Sequence, residues 1–293
     1  MRFLAGLLVS LLAACHVNAD LETRAPSLNP LHYDTVFYIA EGGWVCSKKQ
    51  LKFLNKVLDE ARSTARSAAA ALSVEKSEQS IAYLTWFGQS NATPDMRKSI
   101  LKNHYQSVSE NMVYPTTPTG MKLQDLSFYN TRKQKGNGVT ENSLIYSCPP
   151  PEDRFCIKYN YNAAVKHNLP SRATLVVLCP HFFEKTSSIE SVATSWRVAG
   201  RVIQSTKQAN AGLTLIHEFQ HMAKVTGPEN VCHDMPDPSS RQLDPATRRP
   251  KACYSPDCCM KLSDSYKIQN AENYGLYAGY IQAWPEKARA IRD

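Results

Sequence analysis

Apolar residues recur at helical spacing along much of the chain. In residues 48–72, leucines and alanines fall every three or four positions and form one apolar stripe, which predicts a long amphipathic helix. Further helices are predicted over residues 79–87, 96–112, 191–205 and 267–284. Three short runs rich in Ile, Tyr, Val and Leu predict strands over residues 143–148, 156–161 and 173–179. The pattern therefore indicates an α+β fold that is mainly helical and carries a small antiparallel sheet.

One more apolar helical run contains two histidines. Residues 215–222 read Leu-Ile-His-Glu-Phe-Gln-His-Met, so that His217 and His221 stand four positions apart and Glu218 lies between them. On a helix both imidazoles project from one face and can reach a single Zn²⁺, while Glu218 can act as a general base toward water. Two histidines that only packed in the core would leave Glu218 buried without a partner, which is energetically costly. The run therefore predicts the active-site helix of a zinc peptidase, ended by Gly227 and Pro228.

The first 19 residues have the features of a secretory signal. Arg2 precedes an apolar run over residues 3–14, and small residues stand before a cleavage site after Ala19. The residues 12–15, Leu-Ala-Ala-Cys, also fit a lipoprotein box, in which Cys15 would carry a lipid anchor. No other segment has enough consecutive apolar residues to span a bilayer. We therefore expect a secreted, extracellular protein with a short extension over residues 20–45 and one main domain over residues 46–293.

The cysteine content agrees with secretion. The chain has nine cysteines, and removal of the signal takes Cys15 and leaves eight, which predicts up to four disulfide bonds. Cys258 and Cys259 are adjacent and no Cys-x-x-Cys pair occurs, which disfavours a zinc knuckle. Residues 227–264 are rich in Pro, Asp, Ser and Cys and lack periodicity. They predict a long insertion that is stapled by disulfides.

The net charge and the placement of the basic residues bear on which partners the chain can bind. The formal net charge is +8, or +7 once Arg2 leaves with the signal. The basic residues are scattered, and no aromatic residues interleave with them as a nucleic-acid surface requires. A role in binding acidic wall polymers would rest on this charge alone. We expect a monomer that binds protein or peptide substrates, with no nucleic-acid partner.

The order of several motifs resembles the deuterolysin-type, or aspzincin, zinc metalloendopeptidases, a family with lysine-specific members. The resemblance covers residues 46–284 and rests on segments 46–48, 156–180, 215–221, 252–255 and 270–278. It implies a zincin-like fold with a small β-sheet, a single Zn²⁺ and secretion. It also implies two disulfides, Cys46 with Cys148 and Cys156 with Cys179. The cysteines left for the insertion are Cys232, Cys253, Cys258 and Cys259.

The third zinc ligand does not follow from an intact family motif. The family's ligand is the Asp of a Gly-Thr-x-x-Asp-x-x-Tyr-Gly motif, whose Tyr resembles Tyr254, but Lys251 stands three residues before it. A zinc peptidase needs three protein ligands and one water, so another side chain must reach the site. Asp234 is nearest in spacing to the family's Asp and is our first choice. The alternatives are His233, Asp237, Asp244, Asp257 and Glu272.

The resemblance gives roles to two more residues. Tyr254 would stabilise the oxyanion of the reaction. Glu272 matches one of two acids that line the pocket for the residue after the scissile bond in the lysine-specific members, and Gly275 stands where the second acid would be. We therefore expect a broad endopeptidase with a modest preference for basic residues at that subsite. The broken third-ligand motif favours an alternative, a catalytically impaired secreted effector or binding protein on the same fold.

Overall fold

The structure, a computed structural model, describes residues 32–119, 138–167, 172–203, 210–240, 242–243, 248 and 250–290. The predicted signal peptide with Cys15, residues 20–31 of the predicted extension and Asp244 lie outside the described residues. No helix within the described ranges is long and apolar enough to cross a membrane.

Most of the described chain is helical. The α-helices are α1 Lys48–Ser73, α2 Ile81–Phe87, α3 Pro94–Ser99, α4 Ser107–Asn111, α5 Arg154–Tyr159, α6 Pro180–Phe183, α7 Ile189–Ala199, α8 Ala211–Gln220, α9 Ala223–Thr226, α10 Pro256–Lys261, α11 Asp264–Lys267 and α12 Ala271–Ala283. A π-helical segment, Ile100–Gln106, joins α3 to α4. Short 3-10 helices span Ser77–Gln79, Gln89–Asn91, Pro228–Asn230 and Pro285–Ala288.

Helix α1 forms where the apolar stripe predicts it. The Ser47 side chain accepts a hydrogen bond from the Gln50 backbone N–H, and the Gln50 side chain accepts one from the Ser47 backbone N–H, so that both satisfy donors at the helix start. Its leucine and alanine stripe is buried against the other helices, including α8 and α12. The stripe therefore anchors one side of the helical core.

The other predicted helices also form, with shifted ends. The predicted helix over residues 96–112 begins at Pro94 and runs through the π-helical segment to Asn111. Helix α7 ends at Ala199, before Gly200, whose φ of 67° belongs to the left-handed region and stops the helix earlier than predicted. The predicted helix over residues 267–284 divides into α11 and α12, with a bend at residues 268–270.

The strands form one five-stranded mixed sheet, so the predicted antiparallel sheet was wrong. The strands are β1 Thr35–Ile39, β2 Thr117–Thr119, β3 Ser143–Ser147, β4 Ala163–Lys166 and β5 Thr174–Leu178, in the order β2-β1-β3-β5-β4. All neighbouring strands are parallel except β4, which runs antiparallel to β5 at one edge. Strands β3 and β5 are buried along their whole length, as parallel strands covered on both faces are.

Two sequence assignments need correction beside this sheet. Residues 154–159, placed largely in a predicted strand, form helix α5, because the Asp153 side chain accepts a hydrogen bond from the Phe155 backbone N–H and starts a helical turn. Short apolar runs do not distinguish a strand from a buried helical turn. Strand β1 lies within residues 20–45, so the sheet includes part of the predicted N-terminal extension.

The disulfides agree with the predicted early pairs. Cys46 is bonded to Cys148 and Cys156 to Cys179, both beside the sheet. In the insertion Cys253 is bonded to Cys258, whereas Cys232 and Cys259 are free and buried. The described residues therefore contain three bridges, and only one of them lies in the insertion.

The insertion has a narrow antiparallel base. Pro236 lies opposite Ala252 and Leu243 lies opposite Pro250 in isolated antiparallel bridges. The Cys253 N–H donates to the Met235 carbonyl over 2.8 Å. The chain thus leaves and re-enters the domain at neighbouring points.

Removing the first disulfide should destabilise the fold more than removing the second. Cys46 and Cys148 are 102 residues apart, whereas Cys156 and Cys179 are 23 apart, so the first bridge restricts the unfolded chain more. Loop entropy predicts losses of about 5 and about 3 kcal/mol respectively in the free energy of unfolding. Guanidinium unfolding of the two double-alanine variants measures both values. The reverse order would contradict the entropic explanation.

Candidate metal centre

Helix α8 carries His217 in its last turn, and His221 follows the helix directly. The Asn210 side chain caps its start by accepting a hydrogen bond from the Leu213 N–H over 3.0 Å. Leu215, Ile216 and Phe219 are fully buried in the hydrophobic core, which fixes the rotation of the helix. The helix ends at Gln220, and His221 is its C-cap residue. His217 and His221 therefore face the same space.

Three ligand atoms converge in that space. The Nε2 atoms of His217 and His221 are 3.1 Å apart, and Asp234 Oδ1 lies 3.2 Å from the first and 3.6 Å from the second. Two Zn–N bonds of usual length at a tetrahedral angle separate their nitrogens by about 3.4 Å. The triangle of donors therefore has the dimensions of three corners of a tetrahedral zinc site.

The other ring nitrogen of each histidine faces an oxygen acceptor. His221 Nδ1 lies 2.9 Å from the Cys232 carbonyl oxygen, which can only accept, so Nδ1 carries the proton and donates. His217 Nδ1 lies 2.8 Å from Glu272 Oε2, at an angle too bent for a regular hydrogen bond. A carboxylate at this distance favours a proton on Nδ1. In both neutral rings the lone pair is then on Nε2 and points toward Asp234, an arrangement that a cation stabilises.

The loop that carries Asp234 is fixed on both sides of that residue. The Cys232 N–H donates to the Gln220 carbonyl at the end of α8 over 3.0 Å. The His233 N–H donates to the Gln269 carbonyl over 2.7 Å, and the Met235 N–H donates to Asn270 Oδ1 over 3.1 Å. The loop is therefore tied to the end of α8 and to the residues before α12, although the Asp234 side chain itself is partly exposed.

The charges around the centre shift the pKa values of its acids and bases. Burial raises the pKa of Asp234, but hydrogen bonds and charges from His217 and His221 outweigh it and hold that pKa well below its usual value. Burial lowers the pKa of His217, but Asp234 and Glu272 outweigh it and raise that pKa well above the usual value. Burial likewise lowers the pKa of His221, and Asp234 outweighs it and raises that pKa. The site therefore stabilises positive charge at the two rings, as a cation site requires.

Glu218 lies beside this triangle without joining it. Glu218 is 6% exposed, and it is not among the three side chains whose ligand atoms lie close enough together to hold one metal ion. Burial raises the pKa of Glu218, and the charges of His217 and His221 lower it to a smaller extent, so the net shift is upward. A carboxylate with a raised pKa beside a metal site has the properties of a general base.

Tyr254 lies at the open side of the centre. Its ring centroid is 5.9 Å from that of His217, and 40% of the residue is exposed. Burial of its hydroxyl and the neighbouring Asp234 carboxylate raise the pKa of Tyr254, which keeps the hydroxyl protonated. Asn270 Nδ2 donates to the Cys253 carbonyl over 3.3 Å and so holds the preceding residue. Tyr254 can therefore donate a hydrogen bond next to the three ligand atoms.

The structure does not bring His233, Asp237 or Asp257 into this group of ligand atoms. Among the described residues, the group of three side chains close enough to hold a metal is His217, His221 and Asp234. The His233 side chain is exposed, and Asp237 accepts hydrogen bonds from Ser239 in a local turn. Asp257 is exposed in the first turn of α10. Asp244 lies outside the described residues.

Glu272 and Gly275 both face α8. The Glu272 side chain is 14% exposed and its carboxylate contacts His217. A Cβ atom on Gly275 would lie 3.2 Å from the Leu213 carbonyl oxygen and 3.9 Å from His217 Cβ. Position 275 therefore fills the contact between two helices and has no room for a second acid unless α12 shifts.

Two contributors to the centre were given no role by the sequence analysis. The Cys232 carbonyl that holds His221 belongs to the backbone, and any residue at that position would offer it. Asn270 is fully buried and contacts the Asp234 loop, Cys253 and Asn273 with one side chain. Only the fold brings these groups together.

The comparisons with known proteins are sparse. No family model matches the chain, and no curated protein matches it. Among solved structures, the chain is similar to a zinc peptidase from Grifola frondosa, with 16% sequence identity and a TM-score of 0.44. That similarity covers 80% of this chain and 96% of the other.

Proposed function

We propose that the protein is a zinc-dependent metalloendopeptidase of the deuterolysin-like (aspzincin) type that hydrolyses peptide bonds in proteins. The observation that carries the proposal is the convergence of two Nε2 atoms and one carboxylate oxygen within 3.6 Å of one another. Histidine nitrogens and a carboxylate oxygen are donors that zinc prefers, and three protein ligands leave a fourth position open. His217, His221 and Asp234 would hold the ion.

The residues around the centre can divide the chemical work between them. Bound zinc supplies Lewis-acid chemistry, which makes water more acidic and polarises a carbonyl group. Glu218 would take the proton of the attacking water and deliver it to the leaving amine. The Tyr254 hydroxyl would donate a hydrogen bond to the carbonyl oxygen as negative charge develops on it.

The sheet offers a place for an extended peptide. Strand β4 is an edge strand that pairs only with β5 in the described chain, and it contacts α8. His167, directly after β4, lies with its Nε2 atom 3.0 Å from the His221 carbonyl oxygen, so this edge runs beside the centre. A peptide added to an open strand edge satisfies the backbone groups of both chains. We propose that a substrate segment lies along β4.

We also propose that the chain is secreted and monomeric. Three disulfides in the described residues agree with an oxidising compartment. The signal peptide and the monomeric state remain predictions, tested by N-terminal sequencing of the secreted product and by light scattering.

Metal analysis combined with a cleavage assay tests the proposed activity. Purified protein should contain one zinc per chain, cleave casein, lose activity to 1,10-phenanthroline and regain it with added zinc. Stoichiometric zinc without cleavage of any protein would favour the alternative, a secreted binding or effector protein. Cleavage that resists the chelator would place the chemistry elsewhere.

The specificity of the enzyme should be broad. If Glu272 lines the subsite after the scissile bond, as the family resemblance implies, the expected result is a modest preference for Lys or Arg there, because Gly275 provides no second acid. Cleavage-site profiling on a peptide library measures this preference. Exclusive cleavage before lysine, or no enrichment of basic residues at all, would contradict it.

A further inference from the structure

Helix α12 approaches α8 closely through two glycines. A Cβ atom on Gly275 would lie 3.2 Å from the Leu213 carbonyl oxygen of α8, and one on Gly279 would lie 3.1 Å from Leu213 Cδ1 and 2.8 Å from the Trp196 ring of α7. These distances are shorter than ordinary van der Waals contact, so larger residues would push α12 outward. The two glycines therefore set how near the side chains of α12 come to His217.

One turn before Gly275, this approach brings Glu272 to the back of the His217 ring. Glu272 Oε2 lies 2.8 Å from His217 Nδ1, and the two side chains are 14% and 8% exposed. The zinc-facing atom of the same ring is Nε2, on the opposite side. Glu272 therefore contacts the histidine from behind and stands on the far side of the ring from Asp234.

We propose that Glu272 is a positioning residue for His217, which sets the ring's orientation and keeps the proton on Nδ1, so that Nε2 is free for the metal. The proposal deepens the proposed function and rests on its zinc site. Its effect is specific to one ring, because His221 is held instead by the neutral Cys232 carbonyl. A carboxylate partner also makes the ring a stronger donor to the metal than a carbonyl does.

This role predicts a different result from a role in substrate selection. A pocket acid that meets the substrate would change which bonds are cleaved and leave metal affinity alone. A positioning residue would change metal affinity and leave the cleavage profile alone. The two measurements together therefore separate the roles.

The test compares Glu272→Gln and Glu272→Asp with the parent and with Glu286→Gln. Glutamine keeps the shape and removes the charge, whereas aspartate keeps the charge and shortens the reach. Glu286 is an exposed acid just after α12, so its variant removes the same charge away from the centre. Zinc dissociation constants come from competition with a chromophoric chelator, and cobalt-substituted protein reports ligand geometry by its visible spectrum.

We expect Glu272→Gln to weaken zinc binding roughly 10–100-fold, in the range for lost partners of metal-bound histidines. The cobalt spectrum should change, the cleavage profile should stay the same, and Glu286→Gln should match the parent. Glu272→Asp should bind zinc less tightly than the parent and more tightly than Glu272→Gln. Thermal unfolding of the metal-free proteins checks that each variant folds.

Equal zinc affinity in Glu272→Gln and the parent would overturn the proposal, as would a changed cleavage profile at unchanged affinity. Weaker zinc binding in a protein that cleaves nothing would support this role of Glu272 and refute the proposed peptidase activity. Normal cleavage by the parent, with equal zinc affinity in Glu272→Gln and the parent, would support the proposed peptidase activity and refute this role of Glu272. A parent that binds no zinc would refute both.

Discussion

Glu218→Gln should lower peptide-bond hydrolysis by roughly 10²–10⁴-fold, the usual contribution of a general base, while zinc remains bound. The carboxylate is buried, its pKa is raised, and it lies outside the group of three ligand atoms. Glutamine has nearly the same shape but cannot accept a proton. Turnover of a fluorogenic peptide and zinc content, measured on the same preparation, check both halves of the expectation.

A matched control for this variant is Glu229→Gln. Glu229 is exposed in the 3-10 helix after α9, so its loss should leave both turnover and zinc unchanged. Full activity in Glu218→Gln would refute the general-base role. Loss of zinc together with activity would instead place Glu218 among the groups that hold the metal.

Asp234→Ala should weaken zinc binding by more than about 100-fold, beyond the range measured for residues that only support a ligand. Its Oδ1 atom lies within 3.6 Å of both Nε2 atoms, so alanine opens one corner of the coordination shell. Asp257→Ala is the control, because that acid is exposed on α10. Chelator competition measures both affinities.

The contrary result is equally informative. Equal zinc affinity in Asp234→Ala and Asp257→Ala would remove Asp234 from the metal. Asp244, which lies outside the described residues, would then be the next acid to change.

Local patterns in the sequence were sufficient for the longer helices, although not for α5, which was placed largely in a predicted strand. The stripe of α1 lies within one segment, and it predicts that helix without knowledge of the rest. The sheet was harder, because strand direction depends on the path of the chain between strands. The continuous apolar runs of β3 and β5 do not record that path.

The metal centre, too, could be predicted from the sequence only in part. His217 and Glu218 lie on α8 and His221 is its C-cap residue, so their spacing alone predicts their juxtaposition. Asp234 was chosen by spacing, and the structure brings it to the two histidines. The contact between Glu272 and His217 joins residues 55 positions apart and depends on glycines that let two helices approach. No sequence pattern specifies such a distance.

The narrow base of the insertion also explains how the motif can be split. Asp234 and Tyr254 are far apart in the chain, yet Tyr254 lies beside Asp234, because the Cys253 N–H donates to the Met235 carbonyl at the base. A loop whose ends are held together can lengthen at a small cost in free energy, because each doubling of its length adds only about 0.6 kcal/mol of closure entropy. Sequence added between Leu243 and Pro250 would therefore enter the chain beyond this base. The two residues that must remain neighbours would not separate.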